Sequence, residues 1–265
     1  MTSRYEILPF GAGAEQADEL PEHVRLTVTC SPKHGPDLSV EVGEQLRAIG
    51  HDVTIHLCSR MVRDRAHLDE LLARMADAGI DDAFVVGGDA VEPLGEYSSA
   101  VQLLPLIHEH PNRPRSLGIA GYPEDHPLID PATLADAFEQ KLPYADYVTT
   151  QLCFEPDAIL RFARQIDLPV IVGMPGIVDP KRLLEISVKV GVGPSLRYLR
   201  KQRGLRRLFR LAGSADTLYD ALAPHADVID GFHYFTFNRL LDTWNWERGK
   251  RTSIAQEAQK EVSPT

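Results

Sequence analysis

The chain of 265 residues is the length of one large domain, and its 43% hydrophobic and 25% charged content is that of a globular protein able to bury its own core. Its formal charge of −10 excludes nucleic acid as the main partner, because a phosphate backbone calls for a broadly basic face. Three scattered cysteines, Cys30, Cys58 and Cys153, exclude a disulfide framework and suit a reducing compartment.

Short β-branched runs alternate with helical patterns along the chain. Strands are predicted at Tyr5–Leu8, Leu26–Cys30, Val53–Leu57, Ala83–Val86, Leu117–Ala120, Tyr147–Leu152, Val170–Val172 and Val228–Phe235. Helices are predicted at Leu38–Ile49, Arg65–Ala78, Ser99–His108, Ala132–Lys141, Asp157–Gln165, Lys181–Val190, Ser195–Phe209 and Ala215–Ala223. In Arg65–Ala78, Leu68, Leu71, Leu72 and Met75 fall at i, i+3, i+4 and i+7, one apolar stripe for a sheet. The first unit is the weakest, since Pro9–Val24 is rich in glycine and acids and barely helical. Strand–helix alternation demands parallel strands with crossover helices, and eight strands in one domain predict a closed (β/α)8 barrel of the TIM type over residues 1–247. The polar residues 248–265 are expected to end in a frayed helix or disordered tail. The opening residues lack a basic start before an apolar core, and no apolar run reaches the roughly eighteen residues of a membrane helix, so a cytoplasmic protein without membrane contact is expected.

In such a barrel chemistry sits at the C-terminal ends of the strands and in the loops that follow. Glu6 lies within the first apolar strand: it is either a strand-edge carboxylate facing solvent or, pointing inward, a candidate general acid. Asp89 follows Val86-Gly87-Gly88, where two glycines let the backbone approach a ligand; the alternative is a turn or helix cap. Gln151, after Thr149-Thr150, offers an amide donor and acceptor that suit the edge of a heterocycle, or a core hydrogen bond. One loop, Gly121-Tyr122-Pro123-Glu124-Asp125-His126-Pro127, gathers an aromatic, two acids and a histidine, and His56 sits within the third strand, where a core histidine is the default. The aromatic run from Phe232 to Phe237 either walls a pocket for a flat ring or forms core. Gly11-Ala12-Gly13 lacks the strand and third small residue of a dinucleotide fingerprint. The cysteines and His56 lack zinc-ligand spacing, so no metal site is expected. The basic segment Arg197–Arg210 is a solvated helix face or a dock for an anionic tail.

Taken together these residues resemble the methylenetetrahydrofolate reductase family. Tyr5-Glu6-Ile7-Leu8-Pro9 is similar to its opening strand, Leu26–Thr29 and His56-Leu57-Cys58 to its second and third, Gly88-Asp89 to its Arg-Gly-Asp turn, and Gly121-Tyr122-Pro123-Glu124 with His126-Pro127 to its Gly-Tyr-Pro-Glu-x-His-Pro. Ala145-Asp146, Thr150-Gln151 and Phe154 resemble its Gly-Ala-Asp…Thr-Gln-x-x-Phe, and Pro175-Gly176-Ile177 and Phe232-His233…Thr236…Asn238-Arg239 its later segments. The resemblance runs in family order from Tyr5 to Arg239.

It implies an enzyme of folate one-carbon metabolism and methionine biosynthesis that reduces 5,10-methylenetetrahydrofolate to 5-methyltetrahydrofolate with hydride from NADH or NADPH. Glu6 would protonate N10 and open the imidazolidine ring to a 5-iminium cation, Asp89 would stabilise that cation, and Gln151, with Thr150, Tyr122 and Phe232, would bind the folate. In typical members FAD fills the barrel mouth, where His56, Gly88, Tyr122 and His126 would be its contacts. Three positions depart from the flavin pattern: Gly87 replaces an arginine, Cys30-Ser31-Pro32 replaces a Tyr-Gly turn, and Lys141–Asp146 is one residue shorter with Tyr144 in place of glycine. The implied reading is a flavin-free member passing hydride directly. An FAD-dependent reductase, a barrel methyltransferase and a non-catalytic folate-binding protein are the alternatives, and the oligomeric state is left open.

Overall fold

The computed structural model describes residues 1–126, 129–177 and 214–262. The predicted helices over 181–190 and 195–209, and with them the basic segment, lie outside the described residues. Eight strands, β1 (Thr2–Ile7), β2 (Arg25–Val28), β3 (Asp52–Cys58), β4 (Asp82–Val86), β5 (Ser116–Gly121), β6 (Tyr147–Thr150), β7 (Val170–Pro175) and β8 (Gly231–Phe235), close into a barrel in sequence order. Every pairing is parallel, and the ring closes where β8 meets β1 with Thr2 opposite Gly231 and Glu6 opposite Phe235. The crossovers carry α1 (Gly13–Ala17), α2 (Gly35–Ala48), α3 (Arg65–Asp77), α4 (Ala100–His108), α5 (Pro131–Lys141), α6 (Pro156–Ala163) and α7 (Ser214–Leu222), and α8 (Leu240–Val262) follows the last strand. The protein is a single-domain (β/α)8 TIM barrel.

Local chemistry explains the elements. Asp64 caps α3 by accepting from the His67 amide at 2.8 Å, and Asp130 caps α5 through the Thr133 amide at 3.0 Å, with Pro131 starting that helix. The predicted stripe Leu68, Leu71, Leu72 and Met75 is fully buried against the sheet. Strand ends move where turns intervene. β6 stops at Thr150 rather than Leu152 because the Leu152 amide turns back to the side-chain oxygen of Gln151. β8 begins at Gly231 because the Val228 and Ile229 amides close a turn on the His225 carbonyl. β2 ends at Val28, before the Cys30 predicted.

Alternate residues of each strand face opposite sides. Tyr5, Ile7, Phe232 and Tyr234 join the large core between barrel and helices, while Phe84, Tyr147 and Ile171 form a second cluster inside the barrel. Gly118 permits that inner packing: a Cβ there would lie 2.2 Å from the Tyr147 ring. The weak first unit holds only the five-residue α1, and side chains from the far end of the chain support it. Asn238 accepts from the Leu8 amide at 2.8 Å and donates to the Phe10 carbonyl, and a Cβ on Gly13 would collide with it at 2.3 Å. This close approach explains Gly11-Ala12-Gly13 without a dinucleotide. α8 runs unbroken past residue 247, tied to β1 by Glu247, which accepts from Ser3 at 2.8 Å and Tyr5 at 3.1 Å.

Candidate active site at the barrel mouth

β1, β3 and β8 turn Glu6, His56 and His233 into the barrel. Glu6 Oε2 lies 3.1 Å from His233 Nε2 and 3.7 Å from His56 Nε2, and the three side chains are 13%, 4% and 12% exposed in the order Glu6, His233, His56. Burial lowers the His56 pKa to about 4, against the opposing pull of Glu6 and with a further push from His233. His56 is therefore a neutral imidazole near pH 7, and its contact with Glu6 is not an ion pair. Its buried Nε2 has no hydrogen-bond partner among the described residues. On β2, Thr27 stands opposite Glu6 in register, and the hydroxyls of Thr27 and Thr29 are likewise buried without partners among the described residues. The interior beside Glu6 is thus polar and incompletely satisfied, a feature of sites built to receive something.

A second group gathers on the loops after β4 and β5. Gly88 takes φ +89°, and a Cβ there would lie 2.9 Å from Cys58 Cβ, so the turn that presents Asp89 sits directly on the end of β3. Asp89 is at the exposed rim, where partial desolvation raises its pKa and nearby His126 opposes the shift. Tyr122, its own pKa raised by burial and then by Asp89, packs edge-on against His126 with ring centroids 5.1 Å apart. The Cys58 thiol is pushed well above its ordinary value by a hydrogen bond with Cys30, then by burial and the charge of Asp89. Gln151 is exposed at the exit of β6, its backbone amide donating to the Gly121 carbonyl at 2.8 Å beside the Tyr122 loop.

Two expected folate contacts do not reach the mouth. Phe232 is fully buried on the outer face, 5.1 Å from the Tyr219 ring of α7. The strand's alternation places His233 and Phe235 inside instead, with Phe235 partly exposed at the strand end and edge-on to His233. Thr150 is buried in the wall, where its hydroxyl accepts from the Gly173 amide at 2.9 Å and extends the short β6–β7 pairing. His233 is the residue that sequence reasoning missed. Its signal was the same alternation: apolar Phe232 and Tyr234 outward require the residue between them to face in.

The flavin-pattern departures divide in the same way. Gly87 stands at the mouth, and a Cβ placed there would have no neighbour within 4 Å among the described residues, while Cys30-Ser31-Pro32 opens the loop after β2. Lys141–Asp146 instead joins α5 to β6 at the opposite end, where Asp146 accepts from the Leu117 amide at the start of β5. Its shortening says nothing about a ligand at the mouth.

A family model for methylenetetrahydrofolate reductase matches residues 17–187, more than half of the chain. The chain belongs to the methylenetetrahydrofolate reductase family. It is 26% identical over 176 residues to methylenetetrahydrofolate reductase (NADH) 1 of Arabidopsis thaliana, an alignment covering 57% of this chain and 29% of that protein. A probable methylenetetrahydrofolate reductase (NADH) of Oryza sativa subsp. japonica matches with the same identity and coverage. The match therefore spans under a third of these relatives' length. Among solved structures, an uncharacterized protein from Clostridium thermocellum that binds two copies of 5-methyl-5,6,7,8-tetrahydrofolic acid superposes with a TM-score of 0.56 at 14% identity, covering 88% of each chain. Ruminococcus gnavus sialic acid aldolase superposes at 0.54 and 11% identity over 98% of this chain and 76% of its own; at these identities both report the barrel alone. Glu6 and His233 lie outside the matched span, so the family is recognised by the middle strands while the candidate acid and the histidine beside it come from the first and last strands. No described helix is long and apolar enough to cross a membrane.

Proposed function

We propose that this chain reduces 5,10-methylenetetrahydrofolate to 5-methyltetrahydrofolate with hydride taken directly from NADH or NADPH in the cytoplasm. The observation that carries the reading is Glu6, an enclosed carboxyl 3.1 Å from His233 inside the mouth of a barrel of this family. Glu6 delivers its proton to N10; the bond from N10 to the methylene carbon breaks and leaves a 5-iminium cation. Asp89, at the rim, faces that cation, and a neighbouring positive charge favours ionisation of a carboxyl that desolvation otherwise raises. One hydride from the dihydronicotinamide then adds to the iminium carbon, giving the N5-methyl group and oxidised nucleotide. One proton and one hydride enter, and nothing else is consumed. Gln151 and Tyr122, beside one another at the exits of β6 and β5, are assigned to the pterin, and Phe235 replaces Phe232 as its aromatic wall.

Among the described residues, the family's FAD would meet open space at Gly87, where the family pattern has an arginine, and a Cys30-Ser31-Pro32 turn without a flat ring. These residues do not fit a flavin held as in typical members, and no step is assigned to one. The Tyr122–His126 ring pair is the feature that favours the flavin-dependent alternative.

The test is an absorbance spectrum of the purified chain followed by anaerobic NADH and NADPH oxidation with and without the folate. A colourless protein that oxidises nucleotide one-for-one with methyltetrahydrofolate formed is expected. A yellow chromophore whose removal abolishes turnover would overturn direct transfer. Folate binding without turnover would leave the non-catalytic reading in place of the enzyme.

A further inference from the structure

We infer that Glu6, His56 and His233 form a binding site for a divalent transition ion of the zinc class, and that the ion and the catalytic proton exclude one another. The binding half stands on geometry alone; the exclusion half rests on the role proposed for Glu6.

One carboxylate oxygen and two imidazole nitrogens lie within 4.8 Å of one another here, the one such trio of possible ligands among the described residues. Two ligand atoms about 2.0–2.1 Å from a tetrahedral zinc ion lie roughly 3.3 Å apart. The two observed edges, 3.1 Å from Glu6 to His233 and 3.7 Å from Glu6 to His56, fall either side of that separation. A hydrogen bond accounts for the first edge but not the second. His56 Nε2 is buried, faces the carboxylate at 3.7 Å and has no hydrogen-bond partner among the described residues, which is the ring nitrogen a metal takes. Two histidines and a carboxylate complete three positions and leave the rest open toward the barrel interior, the pattern of an accessible rather than a structural ion. The hydroxyls of Thr27, on the strand next to Glu6, and Thr29, just beyond its end, have no partners among the described residues and can take hydrogen bonds from water in those open positions. Strands β1, β3 and β8 hold all three ligands, so the site is rigid before an ion arrives. An ion is held by the ionised carboxylate whereas the acid needs the protonated one, so a metal-bound Glu6 has no proton to give.

The experiment titrates Co2+ into the tag-free, chelator-treated full chain and follows visible absorption and calorimetry, neither of which requires turnover. One Co2+ per chain with the intense bands of a four-coordinate ion is expected. Glu6→Gln, His56→Gln and His233→Gln are each expected to weaken binding by at least about 100-fold, since loss of an outer-shell partner already costs 10–100-fold. The Cys30→Ser, Cys58→Ser double variant is expected to bind as the parent does. No Co2+ uptake by the parent chain overturns the site, as does uptake that survives both histidine changes or disappears with the cysteines. With Zn2+ in the reductase assay, turnover is expected to fall in proportion to occupancy and to return with chelator; full turnover at full occupancy overturns the exclusion. A chain with no turnover under any condition counts against the proposed reaction and leaves the Co2+ titration to decide the site.

Discussion

At the N-terminal end of the barrel, Arg4, Thr54 and Tyr147 all converge on Asp82, and the atom left over is a donor, the buried Arg4 Nε. Asp82 accepts from Arg4 at 2.7 Å, Thr54 at 2.8 Å and Tyr147 at 2.9 Å, and the guanidinium lies 4.1 Å over the Tyr147 ring. Two residues further along the same strands, Glu6 and His56 meet His233 with one hydrogen bond among the three and a ring nitrogen left over. Both groups are charged or polar, enclosed, and on the inward face of β1 and β3. Burial opposes the Arg4 charge, but Tyr147 and Asp82 outweigh it and leave the pKa raised, while burial leaves His56 neutral. The two ends commit their polar groups differently: the lower cluster closes the barrel, and the upper one keeps lone pairs open for a ligand, in keeping with the division of such barrels into a stability face and a chemical face.

That division is tested most severely at Glu6. Glu6→Gln keeps the shape and a hydrogen bond to His233, so turnover is expected to fall about 10²–10⁴-fold while the unfolding midpoint barely moves. A large loss of stability with unchanged turnover would make the upper cluster structural. Arg4→Ala is the converse. Leaving Asp82 and Tyr147 enclosed without their cation is expected to cost about 3–5 kcal/mol in denaturant unfolding, with kcat/KM of the folded protein unaltered. A drop in kcat/KM instead would show the two ends to be coupled.

Lys141 extends the contrast from outside both clusters, because among the described residues this buried cation is supported by only a carbonyl at 3.4 Å and the Phe138 ring. Burial lowers its pKa from 10.5 to about 8. Between those values the unfolded chain holds more protons than the folded one, so the contribution of this group to stability rises with pH, and below about 8 the enclosed charge is a constant cost. Lys141→Met is therefore expected to stabilise by on the order of 1–3 kcal/mol at pH 7, a gain that shrinks toward pH 10 when the two proteins are unfolded in parallel. A pH-independent difference would show that the ammonium is not confined as Arg4 is. The smallest effect is expected of Thr150→Val, which removes the acceptor of the Gly173 amide and should cost about 1–2 kcal/mol with the KM for folate unchanged. A raised KM would return Thr150 to the mouth.

Local periodicity was enough to order the elements, because strand and helix patterns report local burial. The stripe of α3 and the alternation that demanded parallel strands needed no knowledge of what lay opposite. The same pattern placed Asp89, Gln151 and the Tyr122 loop at strand exits, where barrel topology puts chemistry, and Glu6 within the first strand. Out of its reach was which of two faces a polar or aromatic residue occupied when neighbours of both kinds were present. Phe232 gave way to Phe235, Thr150 went into the wall, and Lys141–Asp146 fell at the wrong end. Only closure of the barrel decided that Glu6 would meet His233, 227 positions away, and His56 from a third strand. Such contacts depend on the register of β8 against β1, which no local pattern encodes, because each strand's pattern states how it is buried but not against whom.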